Sequence, residues 1–267
     1  MNPHDAQPVL SAAGLSLGYG SRTIVAGLDL GIHAGDFKVI VGPNGCGKST
    51  LLKAFARVNK PTAGHIALDG TPVARMKGRA VARRVSLLPQ SAVAPDGITV
   101  GDLVARGRHP HHTLLRQWSP ADDAAIAAAL QRTRLTDMEK VPVASLSGGQ
   151  RQRAWLAMVL AQDTDIILLD EPTTFLDIAH QYDLLELFAQ LNREGRTIVA
   201  VLHDLNQAAR FASDLVVMKD GAIHAQGAPR AILTPELIRQ VFGLEADVMD
   251  DPQSSTPMVV PHVRAAV

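Results

Sequence analysis

The chain has 267 residues, enough for one large domain or for one domain carrying an inserted subdomain. Lysine plus arginine and aspartate plus glutamate balance at 26 each, so no net field draws the chain to nucleic acid or to anionic lipid. A single cysteine rules out an internal disulfide and suits a reducing cytosol, and no apolar run approaches the ~20 residues of a spanning helix.

The opening MNPHDAQPVL has neither the basic start nor the apolar core of a signal peptide, so any membrane role is expected to run through a partner. Leu15-Ser16-Leu17 and Leu28-Asp29-Leu30-Gly31-Ile32 alternate, which predicts a half-buried antiparallel sheet. His65 to Leu68, closed by Asp69-Gly70, extends it. Phe37 to Val41 is a short β-rich run. Helical character begins at Lys48 and runs through Leu51, Leu52 and Phe55.

From Ser91 to about Thr164 the pattern is helical, which predicts an inserted subdomain. Thr99 caps one helix there, and Ser119-Pro120 starts another, with Asp122 and Asp123 in its first turn. Ile166 to Leu169 is a continuous apolar run of the kind found in a central parallel strand. Thr197 to Val201 is β-branched, and Asp220-Gly221 predicts a hairpin turn before Ile223. Strands and helices alternate from Phe37 to Ile223, so the class is α/β. Asp250 to Val267 shows little periodicity, which predicts loose order.

Three stretches carry chemistry. Gly42-Pro43-Asn44-Gly45-Cys46-Gly47-Lys48-Ser49-Thr50 has the spacing of a phosphate-binding loop between a strand and a helix. Its glycines let backbone N–H groups point at phosphate oxygens, and the helix start adds positive potential. Lys48 would reach the β- and γ-phosphates, and the Ser49 hydroxyl would ligate Mg²⁺. Asp170 and Glu171 end the apolar run at the carboxyl end of a strand, where ligands of open sheets sit. Asp170 suits the Mg²⁺ shell, and Glu171 suits orienting or deprotonating a water. Ser147-Gly148-Gly149-Gln150 reads as a capped helix start with exposed donors, a second anion site without a lysine. Cys46 reads as a small filler of its loop or an oxidisable thiol. His109, His111 and His112 suggest a metal, but Pro110 and the lack of nearby cysteines and carboxylates favour a solvated loop facing a partner.

Taken together these motifs resemble the nucleotide-binding domains of ABC transporters, over roughly Val9 to Leu244. The resemblance implies a P-loop NTPase core of mainly parallel sheet, with an N-terminal antiparallel β subdomain. It implies a domain over 8–245, with the helical subdomain inserted at about 91–164 and a short, loosely ordered tail over 246–267. It makes Tyr19 the aromatic that stacks on adenine, although a strand-end tyrosine is an ordinary residue too. It makes Gln90 the glutamine that joins the Mg²⁺ site to the helical subdomain. It makes Asp177 part of the loop that crosses to a partner, and His203 the histidine that contacts the γ-phosphate. Two copies would pack head to tail, with Ser147, Gly148, Gly149 and Gln150 of one completing the ATP site of the other.

A finer resemblance, to iron-chelate importers, rests on Asp170 to Leu184, on His203 to Arg210 and on Arg106 to His111. It implies ATP and Mg²⁺ as cofactors and import of a ferric siderophore, with haem and cobalamin importers as close relatives. The partners implied are a second copy, transmembrane permease subunits and, indirectly, a substrate-binding protein. The place implied is the cytoplasmic face of the inner membrane, as a peripheral subunit; nucleic acid is not an expected partner. A soluble ABC protein of DNA repair or translation is the rival class, disfavoured by one neutral cassette. An exporter ATPase is another.

Overall fold

The computed structural model describes residues 7–20, 22–91, 93–112, 118–174 and 176–262. In chain order the elements are β1 (Leu10–Tyr19), β2 (Arg22–Ile32), β3 (Phe37–Val41), α1 (Lys48–Phe55), β4 (Ala63–Leu68), β5 (Thr71–Pro72), α2 (Gly78–Ala82), β6 (Val85–Leu88), α3 (Val100–Ala105), α4 (Pro120–Arg132) and α5 (Gly148–Ala161). There follow β7 (Ile166–Asp170), α6 (Ile178–Arg193), β8 (Thr197–Val201), α7 (Leu205–Phe211), β9 (Asp214–Lys219), β10 (Ala222–Gly227), α8 (Pro229–Ile232), α9 (Pro235–Phe242), β11 (Ala246–Asp250) and β12 (Pro257–Pro261). Among the described residues no helix is long and apolar enough to cross a membrane. Two compact units emerge: residues 1–75 with 197–267, and residues 76–196.

In the first unit β1 and β2 pair antiparallel in a sheet of order β2-β1-β4-β5, as the alternation predicts. Leu10 and Ala12, then Leu15 and Leu17, point into the core. The break in alternation is a bulge at Ala13-Gly14, where the register with both neighbours shifts. Asp69 and Gly70 (φ 47° and 74°), and likewise Asp220 and Gly221 (φ 49° and 81°), turn through successive left-handed positions. Such turns match the twist of the strands they join.

β3 lies between β8 and β9 and is parallel to both, while β10 pairs antiparallel with β9. Every residue of β3 and β8 is buried, which explains their unbroken apolarity. The exception is Lys38, fully buried in β3. Its ammonium is paired with the Asp214 carboxylate, its register partner on β9, and lies 3.5 Å from Asp36 Oδ2. Gln226 Nε2 also donates to Asp214 Oδ2, at 3.0 Å.

The tail departs from expectation. β11 and β12 form an antiparallel hairpin from Ala246↔Pro261 to Asp250↔Pro257. Asp251 Oδ1 closes the turn by accepting from Gln253 N (2.8 Å) and Ser254 N (3.2 Å). Asp251 is held below the usual carboxylate range, first by the hydrogen bond from the Gln253 backbone. Pro257 and Pro261 sit at the ends of β12, where a missing donor costs no ladder bond between them. These bonds order the described part of a segment expected to be loose.

In the second unit β6 and β7 are parallel, with Leu88 opposite Leu169. α3, α4 and α5 share an apolar cluster that includes Val100, Leu103, Ile126, Leu130, Ala154 and Ala157. Thr99 caps α3 by accepting from Asp102 N (3.2 Å). At Arg106 the helix tightens into a 3₁₀ segment, Arg106–His111, that contains Pro110. Ser119 and Asp122 cap α4 reciprocally. Arg108, buried, donates to Asp122 Oδ1 (2.8 Å) and to the Ala161 carbonyl (2.8 Å). Burial alone would raise the Asp122 carboxyl, but hydrogen bonds from Arg108 and Ser119 outweigh it and hold it at about 2.

The Lys38–Asp214 pair generates a test. Lys38→Ala leaves a buried carboxylate without its cation and is expected to cost ~3–5 kcal/mol of stability in urea unfolding. Lys38→Met combined with Asp214→Leu removes both charges and should recover most of that loss. Equal losses in both variants would show that packing, not charge pairing, governs the site.

Candidate active site

In the first unit β3 delivers the chain into Gly42 (φ 150°), Gly45 (φ 79°) and Gly47 (φ 103°) before α1 begins at Lys48. Two of these glycines are dictated by space. A Cβ on Gly42 would lie 2.1 Å from the Met218 carbonyl oxygen, and one on Gly47 would lie 2.8 Å from a Val25 methyl. Lys48 is buried, and its Nζ donates to the carbonyls of Gly42 (2.8 Å) and Pro43 (2.9 Å). The loop is therefore curled about the ammonium. Ser49 and Thr50 are partly exposed in the first turn of α1, and Asn44 and Gly45 are open to solvent.

Cys46 is buried 4.0 Å from Lys48 Nζ. Burial pushes its thiol up, against the lowering effect of Lys48. That environment suits a loop filler better than a reactive thiolate.

Tyr19 ends β1 with its side chain 58% exposed, and its hydroxyl accepts from Asn59 Nδ2 at 2.9 Å. His203 is exposed just beyond β8. The register Ile40↔Val201, continued by Leu202 N donating to Ile40 O (3.2 Å), sets His203 and Gly42 at the ends of neighbouring parallel strands.

The second unit carries the carboxylates. β7 ends in Asp170, fully buried, and Glu171 follows with φ 52°. A left-handed glutamate is costly, and such strain persists only where the surroundings enforce it. Here Gln90 Nε2 and Thr174 Oγ1 (3.3 Å) both donate to Glu171 Oε2. Gln90 reaches it because β6 and β7 run side by side.

Ser147 caps α5 in a reciprocal box, its Oγ accepting from Gln150 N (3.3 Å) while Gln150 Oε1 accepts from Ser147 N (3.0 Å). No atom lies within 4 Å of a Cβ built on Gly148, and only a Leu176 methyl, at 3.6 Å, approaches one on Gly149. The helix start thus presents an open face. Beside it, in a shared pocket, lies Asp177. Its Oδ1 accepts from His180 N (2.9 Å), and its two oxygens lie 2.7 and 2.8 Å from His180 Nδ1. The backbone bond from His180, then its ring, lower the Asp177 carboxyl.

Each unit therefore holds its own share of the residues singled out from the sequence. The P-loop, Tyr19 and His203 belong to the first; Gln90, Asp170, Glu171, Ser147 to Gln150 and Asp177 belong to the second. Sequence reasoning missed His180 and Thr174. The Asp-x-x-His spacing of a helix cap could have flagged His180; nothing marks Thr174. The histidine-rich loop is tied down at His111, whose Nε2 lies 2.8 Å from the Gln162 carbonyl oxygen. Among the described residues no group of three or more His, Cys, Asp or Glu side chains could hold a metal ion. The hydroxyl, carboxylate and amide oxygens of Ser49, Asp170 and Gln90 are hard donors of the kind Mg²⁺ accepts while keeping several waters.

A family model described as ABC transporter matches residues 25–174. The chain belongs to the ABC transporter family. It is 54% identical over 253 residues to the ferric enterobactin transport ATP-binding protein FepC of Escherichia coli (strain K12), covering 94% of this chain and 93% of that one. It is 50% identical over 256 residues to the probable siderophore transport system ATP-binding protein YusV of Bacillus subtilis (strain 168), covering 96% and 93%. Among solved structures, an inward-facing metal-chelate type ABC transporter superposes with a TM-score of 0.82 at 29% identity, covering 96% of this chain and 98% of that one. The P-loop NTPase fold expected from the motifs is thereby shown, and the ABC ATP-binding chain is an ATPase.

Proposed function

We propose that this ABC ATPase drives import of a ferric siderophore or a related iron chelate, as a head-to-tail pair of copies on the cytoplasmic face of a membrane permease. The observation that carries the ATPase chemistry is the buried Lys48 ammonium enclosed by its own loop. The cargo class is supported by the relatives, whose names specify ferric enterobactin and siderophore transport. Dimerisation is supported by a bacterial ABC transporter cassette solved as a dimer, with a TM-score of 0.73 at 26% identity, covering 82% of this chain and 98% of that one. A substrate-binding protein would hand cargo to the permease.

The residues divide the work by chemistry. Tyr19 offers an exposed ring for the adenine. The P-loop offers backbone N–H groups, and Lys48 exchanges carbonyl partners for the β- and γ-phosphate oxygens. Ser49, Asp170 and Gln90 would hold Mg²⁺, which when bound neutralises phosphate charge. Glu171 orients and deprotonates the attacking water, its carboxylate aimed by Gln90 and Thr174. His203 contacts the γ-phosphate. The open face at Gly148 and Gly149, with Ser147, Gln150 and Asp177 beside it, has no lysine of its own and suits a wall for a partner's nucleotide.

Glu171→Gln is expected to keep ATP affinity while turnover falls ~10²–10⁴-fold, since it removes the base and leaves the phosphate contacts. Lys48→Ala should instead weaken ATP binding ~10–100-fold, the loss of charge-assisted hydrogen bonds. Near-normal turnover in the first variant, or unchanged affinity and turnover in the second, refutes the corresponding role.

Mixing tests the shared site. Ser147→Arg alone should bind ATP as a monomer without closing, and Lys48→Ala alone should bind poorly. In a mixed dimer both lesions can fall on one composite site and leave the other whole. ATP-driven dimerisation should reappear on mixing, read by size-exclusion chromatography with Mg²⁺-ATP. No recovery means that each site lies within one chain.

The cargo is tested in cells lacking this chain. Uptake of ⁵⁵Fe-loaded siderophore should fall and return with the wild-type chain but not with Glu171→Gln. Cobalamin uptake should not change; its loss in place of iron uptake would favour the cobalamin importers, one of which is 41% identical over 253 residues.

A further inference from the structure

The first unit contains a contact that none of the chemistry above uses. His203 stands at the apex of a short turn between β8 and α7. On its β8 side the chain is fixed by Leu202 N donating to Ile40 O. On its α7 side Asp204 caps the helix, with Oδ1 accepting from Asn206 N (2.8 Å) and Gln207 N (2.9 Å). The direction of the His203 side chain therefore depends on where α7 lies. A seven-residue helix has little stability of its own, so its placement must come from tertiary contacts.

Besides the packing of buried Ala208 and Ala209 against the core beside β3, those contacts come from the C-terminal hairpin. Asn206 Nδ2 donates to the Val259 carbonyl (3.3 Å), and Val259 N donates to Asn206 Oδ1 (2.7 Å). One amide thus takes both backbone groups of a single β12 residue, as the next strand of a sheet would. Four residues on, and so on the same face of α7, Arg210 Nη2 lies 3.3 Å from Asp251 Oδ2 at the hairpin turn. The hairpin is itself held from outside. Arg230 Nη2 donates to Asp250 Oδ1 (2.9 Å) and to the Ser255 carbonyl, and Val259 is buried. Asn206 and Val259 are 53 residues apart, so the bond is a long-range constraint, not part of the local turn.

We propose that Asn206 is a positioning residue for His203, and that the C-terminal hairpin is the clamp through which it acts. The inference rests on the assignment of His203 to the γ-phosphate. The Asn206 amide donates through its nitrogen and accepts through its oxygen, so substitutions can remove the two bonds separately. Asp at 206 keeps an acceptor for Val259 N–H and loses the donor. Ala loses both.

The test is steady-state ATP hydrolysis by the full-length chain, with Asn206→Ala and Asn206→Asp each made alone and in a His203→Ala background. Asn206→Ala should lower kcat ~5–10-fold with KM for ATP unchanged, because only the γ-phosphate contact is misdirected. Asn206→Asp should lower kcat less. With His203→Ala already present, neither change should lower turnover further. A wild-type kcat in Asn206→Ala, or the same fold loss in both backgrounds, overturns the clamp while leaving the His203 assignment standing. Wild-type turnover in His203→Ala alone removes that assignment, and the clamp with it. Should Asn206→Ala not give folded protein, Asn206→Asp carries the same comparison.

Discussion

A lysine buried in a β-strand is tolerated only with a counter-charge in reach; Lys38 finds Asp214 directly opposite on β9, with Asp36 further off at 3.5 Å. That requirement pins the register of two strands which, being otherwise apolar, could slide at little cost. The consequence appears at the other end of the strand. With Lys38 opposite Asp214, Val41 falls opposite Val217, and Gly42 arrives beside the Met218 carbonyl, where no larger residue fits. On its other side β3 sets His203 at the end of β8. One ion pair at the base of β3 thus determines where the phosphate loop starts and what stands next to it.

The two charged groups to which the proposed function gives the central roles, Lys48 and Glu171, are held in opposite ways. Lys48 is buried and satisfied by main-chain carbonyls. Glu171 is left partly exposed on a strained backbone and aimed by two neutral donors. Neutral donors orient a carboxylate without placing a full positive charge beside it. The Gln90 amide holds the Glu171 carboxylate in direction, and it also links Glu171 to the chain that leads into α3.

Most of the sheet and the principal site could be read from the sequence because local chemistry dictates them. A continuous apolar run marked β7, β-rich and β-branched runs marked β3 and β8, the two Asp-Gly pairs marked their turns, and Thr99, Ser119 and Ser147 marked helix starts. The unread features are long-range. Lys38 and Asp214 are 176 residues apart, and Arg108 meets Asp122 from 14 residues away. The hairpin was hidden for a related reason. A five-residue strand bounded by Pro257 and Pro261 reads as irregular, and its decisive partner, Asn206, looks like an ordinary first-turn polar residue.

The enclosure of Lys48 also bears on how binding energy is distributed in the loop. Burying an ammonium costs several kcal/mol, on the order of its effective desolvation penalty. In this structure that cost falls on folding, since the Gly42 and Pro43 carbonyls already surround the charge. On the proposed reading, arrival of a triphosphate would replace neutral oxygens with anionic ones around a cation that is already largely desolvated. The lysine gains from the exchange without paying for dehydration at that moment. The fixed glycine backbone gains likewise, because Gly42 and Gly47 already occupy conformations that the nucleotide would otherwise have to impose. His203, by contrast, is left exposed just beyond β8, where the proposed function puts the γ-phosphate. The enclosed ammonium and the exposed imidazole both follow from which groups the fold buries and which it leaves open.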